Sequence, residues 1–164
     1  EAMGSKVHVD SKMGSGSRFY FDLELKLAST QELEKITQKK HYDLKGKNIL
    51  LVEDNLINVM VAKQILEKAN LIVDVAYDGQ MAVNKVRKNK YNALLMDIQM
   101  PVMDGYTATK EIRKFNSTLP ILALSASVFL EVRNKILESG MDGFIFKPFD
   151  PEDLLNKIEE VMDK

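Results

Sequence analysis

The chain has 164 residues, 45% of them hydrophobic and 29% charged, which suits a globular protein with room for one ordinary domain and an appendage. Its 23 basic and 24 acidic side chains give a net charge of −1, so composition offers no electrostatic case for binding nucleic acid. The lack of cysteine excludes disulfides and thiolate metal sites, and no apolar run approaches the roughly 20 residues that cross a bilayer.

Residues 1–27 have the pattern of two strands around a glycine-rich turn. Residues 6–10 alternate polar and apolar side chains, and Gly14-Ser15-Gly16-Ser17 supplies the turn. The second strand alternates polar residues with large apolar ones: Phe19, Phe21, Leu23 and Leu25. Because an exposed apolar strand is a template for pairing, we expect the hairpin to pack on the rest of the chain or to form a dimer between copies. Disorder is the alternative, since an isolated hairpin is marginally stable in water.

Polar residues 28–46 predict a short helix, started by Ser29 or Thr30, followed by a linker that ends at Gly46. From residue 47 onward the pattern changes to short, almost wholly apolar runs, which are typical of strands buried on both faces of a parallel sheet. There are five such runs: Ile49–Val52, Leu71–Ala76, Ala93–Met96, Ile121–Leu124 and Phe144–Phe146.

The stretches between these runs have helical periodicity. Ile57, Val61 and Ile65 recur every four residues and predict one apolar helix face. Asp150-Pro151 is a strong helix start, with a capping aspartate followed by proline at the first helical position. Five strands alternating with five helices predict an α/β fold over residues 47–164, with a flavodoxin-like, doubly wound five-stranded parallel sheet.

Polar residues that could carry chemistry stand at the carboxyl ends of the predicted strands, where ligands bind to open parallel sheets. Glu53-Asp54 follows the first strand, Asp97 ends the third, Ser125 ends the fourth and Lys147 follows the fifth. Three carboxylates held close together repel one another unless a cation intervenes, and an all-oxygen site suits a hard ion such as Mg²⁺. A carboxylate can also attack phosphorus to give an aspartyl phosphate.

Four segments of the chain are similar to the signature blocks of response-regulator receiver domains. They occur in the order of the family and together cover the region from residue 46 to residue 164: Ile49–Asn55, Met96–Gly105, Ala123–Ala126 and Phe144–Phe149. The resemblance implies that the domain takes phosphate from a phosphohistidine and switches a protein-binding surface.

The resemblance also implies a role for each matching residue. Asp97 corresponds to the phosphoacceptor, Asp54 to a direct ligand of Mg²⁺ or Mn²⁺, and Glu53 to the acid that reaches the ion through water. The backbone carbonyl of Gln99 corresponds to the third protein ligand.

Three further residues, at the ends of or within the fourth and fifth predicted strands, correspond to functional positions of the receiver family. Ser125 corresponds to the switch hydroxyl, Lys147 to the phosphate-binding lysine and Phe144 to the switch aromatic. The Lys147–Pro148 peptide is expected to be cis, which proline permits.

The first 27 residues have a separate resemblance. Ala2–Ser11 and Gly14–Phe21 are similar to the last strands of the ATP-binding domain of sensor histidine kinases, with Ser5 where a second glycine is commoner. The resemblance implies an excised piece of a hybrid histidine kinase, cytoplasmic or the cytoplasmic part of a membrane-bound sensor, whose partner is a histidine phosphotransfer protein. Because the ATP-binding and phosphodonor blocks are missing, we expect at most self-phosphorylation and autodephosphorylation from this piece.

Three alternative classes of protein fit these residues less well than the receiver family does. A haloacid-dehalogenase-type phosphatase also uses an aspartyl nucleophile and Mg²⁺, but it needs a second Asp two residues later, where this chain has Gln99. A flavodoxin-like cofactor binder needs a phosphate loop after the first strand, where Glu53-Asp54 would repel the phosphate. A DNA-binding response regulator needs an output domain, whereas the residues after Lys147 are taken up by the final predicted helix.

Overall fold

The computed structural model of the chain describes residues 6–22, 43–126 and 130–163. The chain divides into two compact units, Glu1–Lys40 and His41–Lys164. Leu23, Leu25 and the helix predicted from Ser29 or Thr30 lie outside the described residues.

The described part of the first unit is an antiparallel hairpin of β1 (His8–Lys12) and β2 (Gly16–Tyr20). Its turn is shorter than the sequence predicted, because the Ser15 amide donates to the Lys12 carbonyl at 2.9 Å and Gly16 already belongs to β2. Gly14 and Gly16 have φ of +80° and +94°, a region that glycine adopts without strain.

The second unit is built on a five-stranded sheet in which every neighbouring pair is parallel. Its strands are β3 (Asn48–Val52), β4 (Ile72–Ala76), β5 (Ala93–Asp97), β6 (Ile121–Ser125) and β7 (Gly143–Phe146). The order across the sheet is β4-β3-β5-β6-β7, so the chain runs outward from β3 to β4 and then crosses back to β5. This reversal creates a crevice at the carboxyl ends of β3 and β5, and it confirms the predicted doubly wound fold.

Five helices connect and cover these strands in the described part of the unit. They are α1 (Leu56–Lys68), α2 (Gly79–Lys88), α3 (Gly105–Arg113), α4 (Leu130–Glu138) and α5 (Pro151–Met162). Four of them begin after a side chain that accepts from amides of the first turn, as capping requires: Asn55, Asp78, Asp104 and Asp150. None of the helices in the described ranges has the length and apolar character needed to span a membrane.

Helix α1 packs on the sheet through a face that shares only Ile65, which is partly buried against the core, with the face predicted from the sequence. Ile57 and Val61 are exposed, whereas Val59, Ala62 and Leu66 are buried against the strands. The period-four pattern picked out apolar residues without showing which of two adjacent stripes meets the core. Small Ala62 lies on the buried stripe, where it lets the helix backbone approach the sheet.

Candidate functional site

An acidic cluster forms at the crevice between β3 and β5. Glu53 and Asp54 follow β3 directly and Asp97 ends β5, and these two strands are paired neighbours with Val52 opposite Met96. One carboxylate oxygen from each of the three residues lies within 4.8 Å of the others. Glu53 is only 1% exposed and Asp97 is buried, whereas Asp54 is exposed. The cluster therefore joins two buried charges to one that is open to solvent.

Lys147 connects the two buried carboxylates. Its Nζ donates to Glu53 Oε2 at 2.5 Å and to Asp97 Oδ2 at 2.7 Å. The Lys147–Pro148 peptide is cis, as expected. A single ammonium thus compensates two carboxylates that would otherwise lie uncompensated in a low-dielectric setting.

The carboxyl group of Asp97 experiences opposing influences. Burial, the largest effect, raises its pKa, and the neighbouring Glu53 charge raises it further. The hydrogen bond and positive charge of Lys147 lower the pKa, as does the Gln99 amide, which donates to Asp97 Oδ1 at 3.4 Å. The net direction is upward. Lys147 acts against this net rise and favours the ionised, nucleophilic form of the residue.

Glu53 is held from the side of helix α1 as well. The Asn55 amide and the Asn58 side-chain Nδ2 donate to Glu53 Oε1 at 3.3 and 3.0 Å. Asn55 also caps α1 by accepting from the amides of Ile57 and Asn58. Sequence reasoning missed Asn58, because an asparagine in the first turn of a helix has no signal that distinguishes it from a surface residue.

A cleft of about 840 Å³ opens over the acidic cluster. It is lined by five of the predicted site residues: Asp54, Asp97, Gln99, Ser125 and Lys147. It is also lined by side chains that the sequence did not single out: Asn58, Tyr106, Glu131 and Lys135. Glu53 and Phe144 are not among the lining residues, because Glu53 is almost fully buried and Phe144 packs against the hydrophobic core.

Phe144 is half-buried and packs against the hydrophobic cluster on one face of the sheet. Its ring contacts that of Phe146 with 5.1 Å between centroids, and the Arg133 guanidinium lies 4.9 Å from the ring centroid. Arg133 belongs to α4, as do the cleft residues Glu131 and Lys135. Helix α4 thus contacts both the cleft and the aromatic residue.

The loop between Asp97 and α3 contains a strained turn. The Met103 amide donates to the Pro101 carbonyl at 2.7 Å, which closes a three-residue turn around Val102 with φ of +66°. A β-branched residue rarely adopts this conformation. The next helix starts at Gly105, where an added Cβ would overlap the Asp97 carbonyl oxygen and lie 3.0 Å from Met96 Cγ. The phosphoacceptor candidate and α3 are therefore in direct backbone contact.

The donor atoms fit a small divalent cation. All three clustered side chains offer oxygen, which is the ligand type that Mg²⁺ selects, and exposed Asp54 gives the ion an entry point.

A parallel sheet of this order with an acidic crevice and a lysine at the fifth strand defines a class of signalling domain. The chain belongs to that class: the family described as "Response regulator receiver domain" matches residues 49–159. It is accordingly a receiver domain of a two-component phosphorelay, and the haloacid-dehalogenase-type alternative is not supported.

Individual relatives agree with this assignment. The receiver domain of the Pseudomonas aeruginosa sensor histidine kinase PA1611, whose structure has a magnesium ion in the active-site cleft, is 36% identical with a TM-score of 0.69. The match covers 73% of this chain and 99% of that one. The Saccharomyces cerevisiae Ssk1 receiver domain, solved with the histidine phosphotransfer protein Ypd1, is 32% identical with a TM-score of 0.69 over 73% of this chain and 91% of that one.

One curated relative aligns along almost the whole chain. The Escherichia coli aerobic respiration control sensor protein ArcB is 33% identical over 164 residues, which cover 98% of this chain but 21% of ArcB. The first curated relatives are much longer than this chain, which spans between 5% and 21% of their length.

Proposed function

We propose that Asp97 accepts the phosphoryl group of a phosphohistidine and that this phosphorylation switches the surface formed by β6, β7 and their helices. The observation that carries the proposal is the position of the Asp97 carboxylate, which lines the open cleft between Lys147 and the acidic pair formed by Glu53 and Asp54. A buried carboxylate flanked by a cation and open to a cleft is suited to nucleophilic attack on phosphorus.

The transfer balances without a further reactant. An Asp97 carboxylate oxygen bonds to phosphorus while the phosphorus–nitrogen bond of the phosphohistidine breaks, and the imidazole leaves with the electron pair. Lys147 Nζ, which contacts Asp97 Oδ2 at 2.7 Å, becomes a donor to the transferred phosphoryl group. Ser125, at the end of β6 in the same cleft, offers a hydroxyl donor to the same group.

The residues that would hold the divalent cation are Glu53, Asp54, Asp97 and the Gln99 backbone carbonyl. Mg²⁺ is the ion described in the related PA1611 receiver, and Mn²⁺ suits the same oxygen donors. When bound, such an ion neutralises negative charge on the phosphoryl group.

Switching is assigned to Ser125 and Phe144. They lie on the paired strands β6 and β7, where Ala123 is opposite Phe144 and Ser125 is opposite Phe146. A phosphoryl group that draws Ser125 into the cleft would shift an existing equilibrium in the packing of Phe144 and Arg133.

The proposed partner is a histidine phosphotransfer protein. Support comes from the Ssk1 relative, which was solved with such a protein, and from the exposed apolar side chains on α1. These side chains follow the acidic pair in sequence and are 46% to 71% exposed: Leu56, Ile57, Met60 and Val61. A partner that brings a phosphohistidine to the cleft could bury them.

The origin of the chain in a hybrid histidine kinase, with a cytoplasmic location, is part of the same proposal. The kinase origin is supported by the ArcB alignment, which extends through the hairpin, together with the resemblance of the first 27 residues to the end of a kinase ATP-binding domain.

The test is incubation with acetyl phosphate and Mg²⁺, followed by intact-mass measurement. The wild type should gain one phosphoryl group only when the metal is present, and Asp97→Asn should gain none. Asp78→Asn is the matched control, since Asp78 caps α2 away from the cleft and asparagine is also a good cap. Undiminished labelling of Asp97→Asn would refute the assignment.

A further inference from the structure

The side chain of Asn58 contacts Glu53, the most deeply buried acid of the cluster. Its Nδ2 donates to Glu53 Oε1 at 3.0 Å, and it lines the cleft that contains Asp54 and Asp97. It does not cap α1, because that role belongs to Asn55. Nor does it belong to the buried stripe of the helix, which consists of Val59, Ala62 and Leu66. Its side chain is therefore committed to the site rather than to packing.

The two oxygens of Glu53 have different partners. Oε1 accepts from two neutral donors at the start of α1, whereas Oε2 accepts from the charged Lys147 at 2.5 Å. With Oε1 held by Asn58 and the Asn55 amide, Lys147 is bonded to Glu53 through Oε2 alone. Without Asn58, the carboxylate can rotate toward Lys147 and pair with it more completely, which strengthens the interaction that an incoming cation has to replace.

We propose that Asn58 is a positioning residue for Mg²⁺: it holds one oxygen of Glu53 against α1 and so keeps this carboxylate available to the cation. The inference rests on the proposed function, because it requires that the acidic cluster binds the metal. Asn58 acts through Glu53 and takes no part in the transfer of the phosphoryl group.

The experiment measures Mg²⁺ affinity by calorimetry on the full, unphosphorylated chain. Asn58→Ala should weaken Mg²⁺ binding by about tenfold, as is usual when a partner of a metal ligand is removed. Asn58→Leu keeps the volume without the amide and should show the same loss. Asn58→Gln, which keeps the amide, should recover part of the affinity. Asn84→Ala is the matched control, since Asn84 is an exposed asparagine on α2 whose side chain contacts Gln80, and it should bind like the wild type.

A second readout separates positioning from a role in folding or in chemistry. With acetyl phosphate as donor, the Mg²⁺ concentration for half-maximal phosphorylation should rise in Asn58→Ala by the same factor as the dissociation constant, while the rate at saturating Mg²⁺ stays unchanged. Wild-type affinity in both Asn58→Ala and Asn58→Leu would overturn the role of Asn58 and leave the proposed function standing. If the wild type itself bound no Mg²⁺, the metal site of the proposed function would fail, and the role of Asn58 with it.

Discussion

Replacing Lys147 by methionine removes the ammonium that bonds to both buried carboxylates. The lysine side chain is 16% exposed, and its partners Glu53 and Asp97 are 1% and 11% exposed, so the ion pairs are largely shielded from water. Removing one member of a buried pair typically destabilises a protein by about 3–5 kcal/mol. We expect Lys147→Met to lower the free energy of unfolding by an amount in this range near neutral pH without metal.

The loss should depend on pH. The pKa of Asp97 is already raised by burial, and removing Lys147 takes away the strongest influences that lower it. A carboxyl with a raised folded pKa binds more protons in the native state than in the unfolded state, so its stability contribution falls as pH rises through the folded pKa. The variant should therefore lose most stability at about pH 7 and less at about pH 5, because protonation of Asp97, which removes one uncompensated charge, becomes more favourable as the pH falls.

Urea unfolding of both proteins at these two pH values, with and without Mg²⁺, measures the effect. Mg²⁺ should restore part of the loss, because binding to the native state alone stabilises it. Lys157→Met is the matched control: Lys157 pairs with Glu160 at 3.8 Å on the surface of α5, and such pairs contribute about 0–1 kcal/mol. A Lys147→Met loss no larger than that of the control, or one independent of pH, would refute the reasoning.

Three other substitutions test features that do not involve Lys147. Val102→Gly should raise the free energy of unfolding by about 1 kcal/mol in urea, because it relieves a positive φ at a side chain that is 85% exposed; a destabilised variant would show that the turn is not strained. Gly105→Ala should lower it by about 1–3 kcal/mol and slow phosphorylation, because the new Cβ overlaps the Asp97 carbonyl; wild-type stability would contradict that contact. Burial and the Asp74 carboxylate, which accepts from the Tyr91 hydroxyl at 2.6 Å, raise the pKa of Tyr91 to about 12. In Asp74→Asn, ultraviolet titration should show that this pKa falls toward 10. An unchanged titration would contradict the pairing.

The sheet could be predicted from the sequence nearly residue by residue. Strands buried on both faces need continuous apolar runs, and the runs at Ile49–Val52 and Ala93–Met96 differ from β3 and β5 by one residue at one end. The start of α5 at Asp150-Pro151 was equally clear, because capping depends on residue types in adjacent positions. Strand and capping patterns depend on residues that are close together in the sequence, so both can be predicted without the structure.

The candidate site could be predicted only in part. Because Glu53, Asp54 and Asp97 stand at the carboxyl ends of parallel strands, the sequence predicted that they lie close together. It also predicted that these carboxylates repel one another until a cation binds. In the structure Lys147 already compensates two of them. That contact joins residues 94 and 50 positions apart, and its geometry depends on how far the lysine reaches across the end of β6.

Asp74 was missed for a similar reason. It lies inside β4, where its carboxylate accepts from Lys85 and Tyr91. Both partners come from segments further along the chain that pack beside an edge strand. Nothing in the neighbouring sequence therefore indicated that Asp74 would pair with them.

The order of strands in the sheet divides the domain into parts of unequal resistance to local opening. Glu53 and Asp97 follow or end β3 and β5, which lie inside the sheet and are almost wholly buried. Phe144 belongs to β7, an edge strand in which three of four residues are half-buried. Amide hydrogen exchange should accordingly be slowest at the strands that hold the acids and faster around Phe144. Phosphorylation would then take place on a rigid part of the sheet, while the conformational change occurs at an edge strand that rearranges at a small cost in free energy.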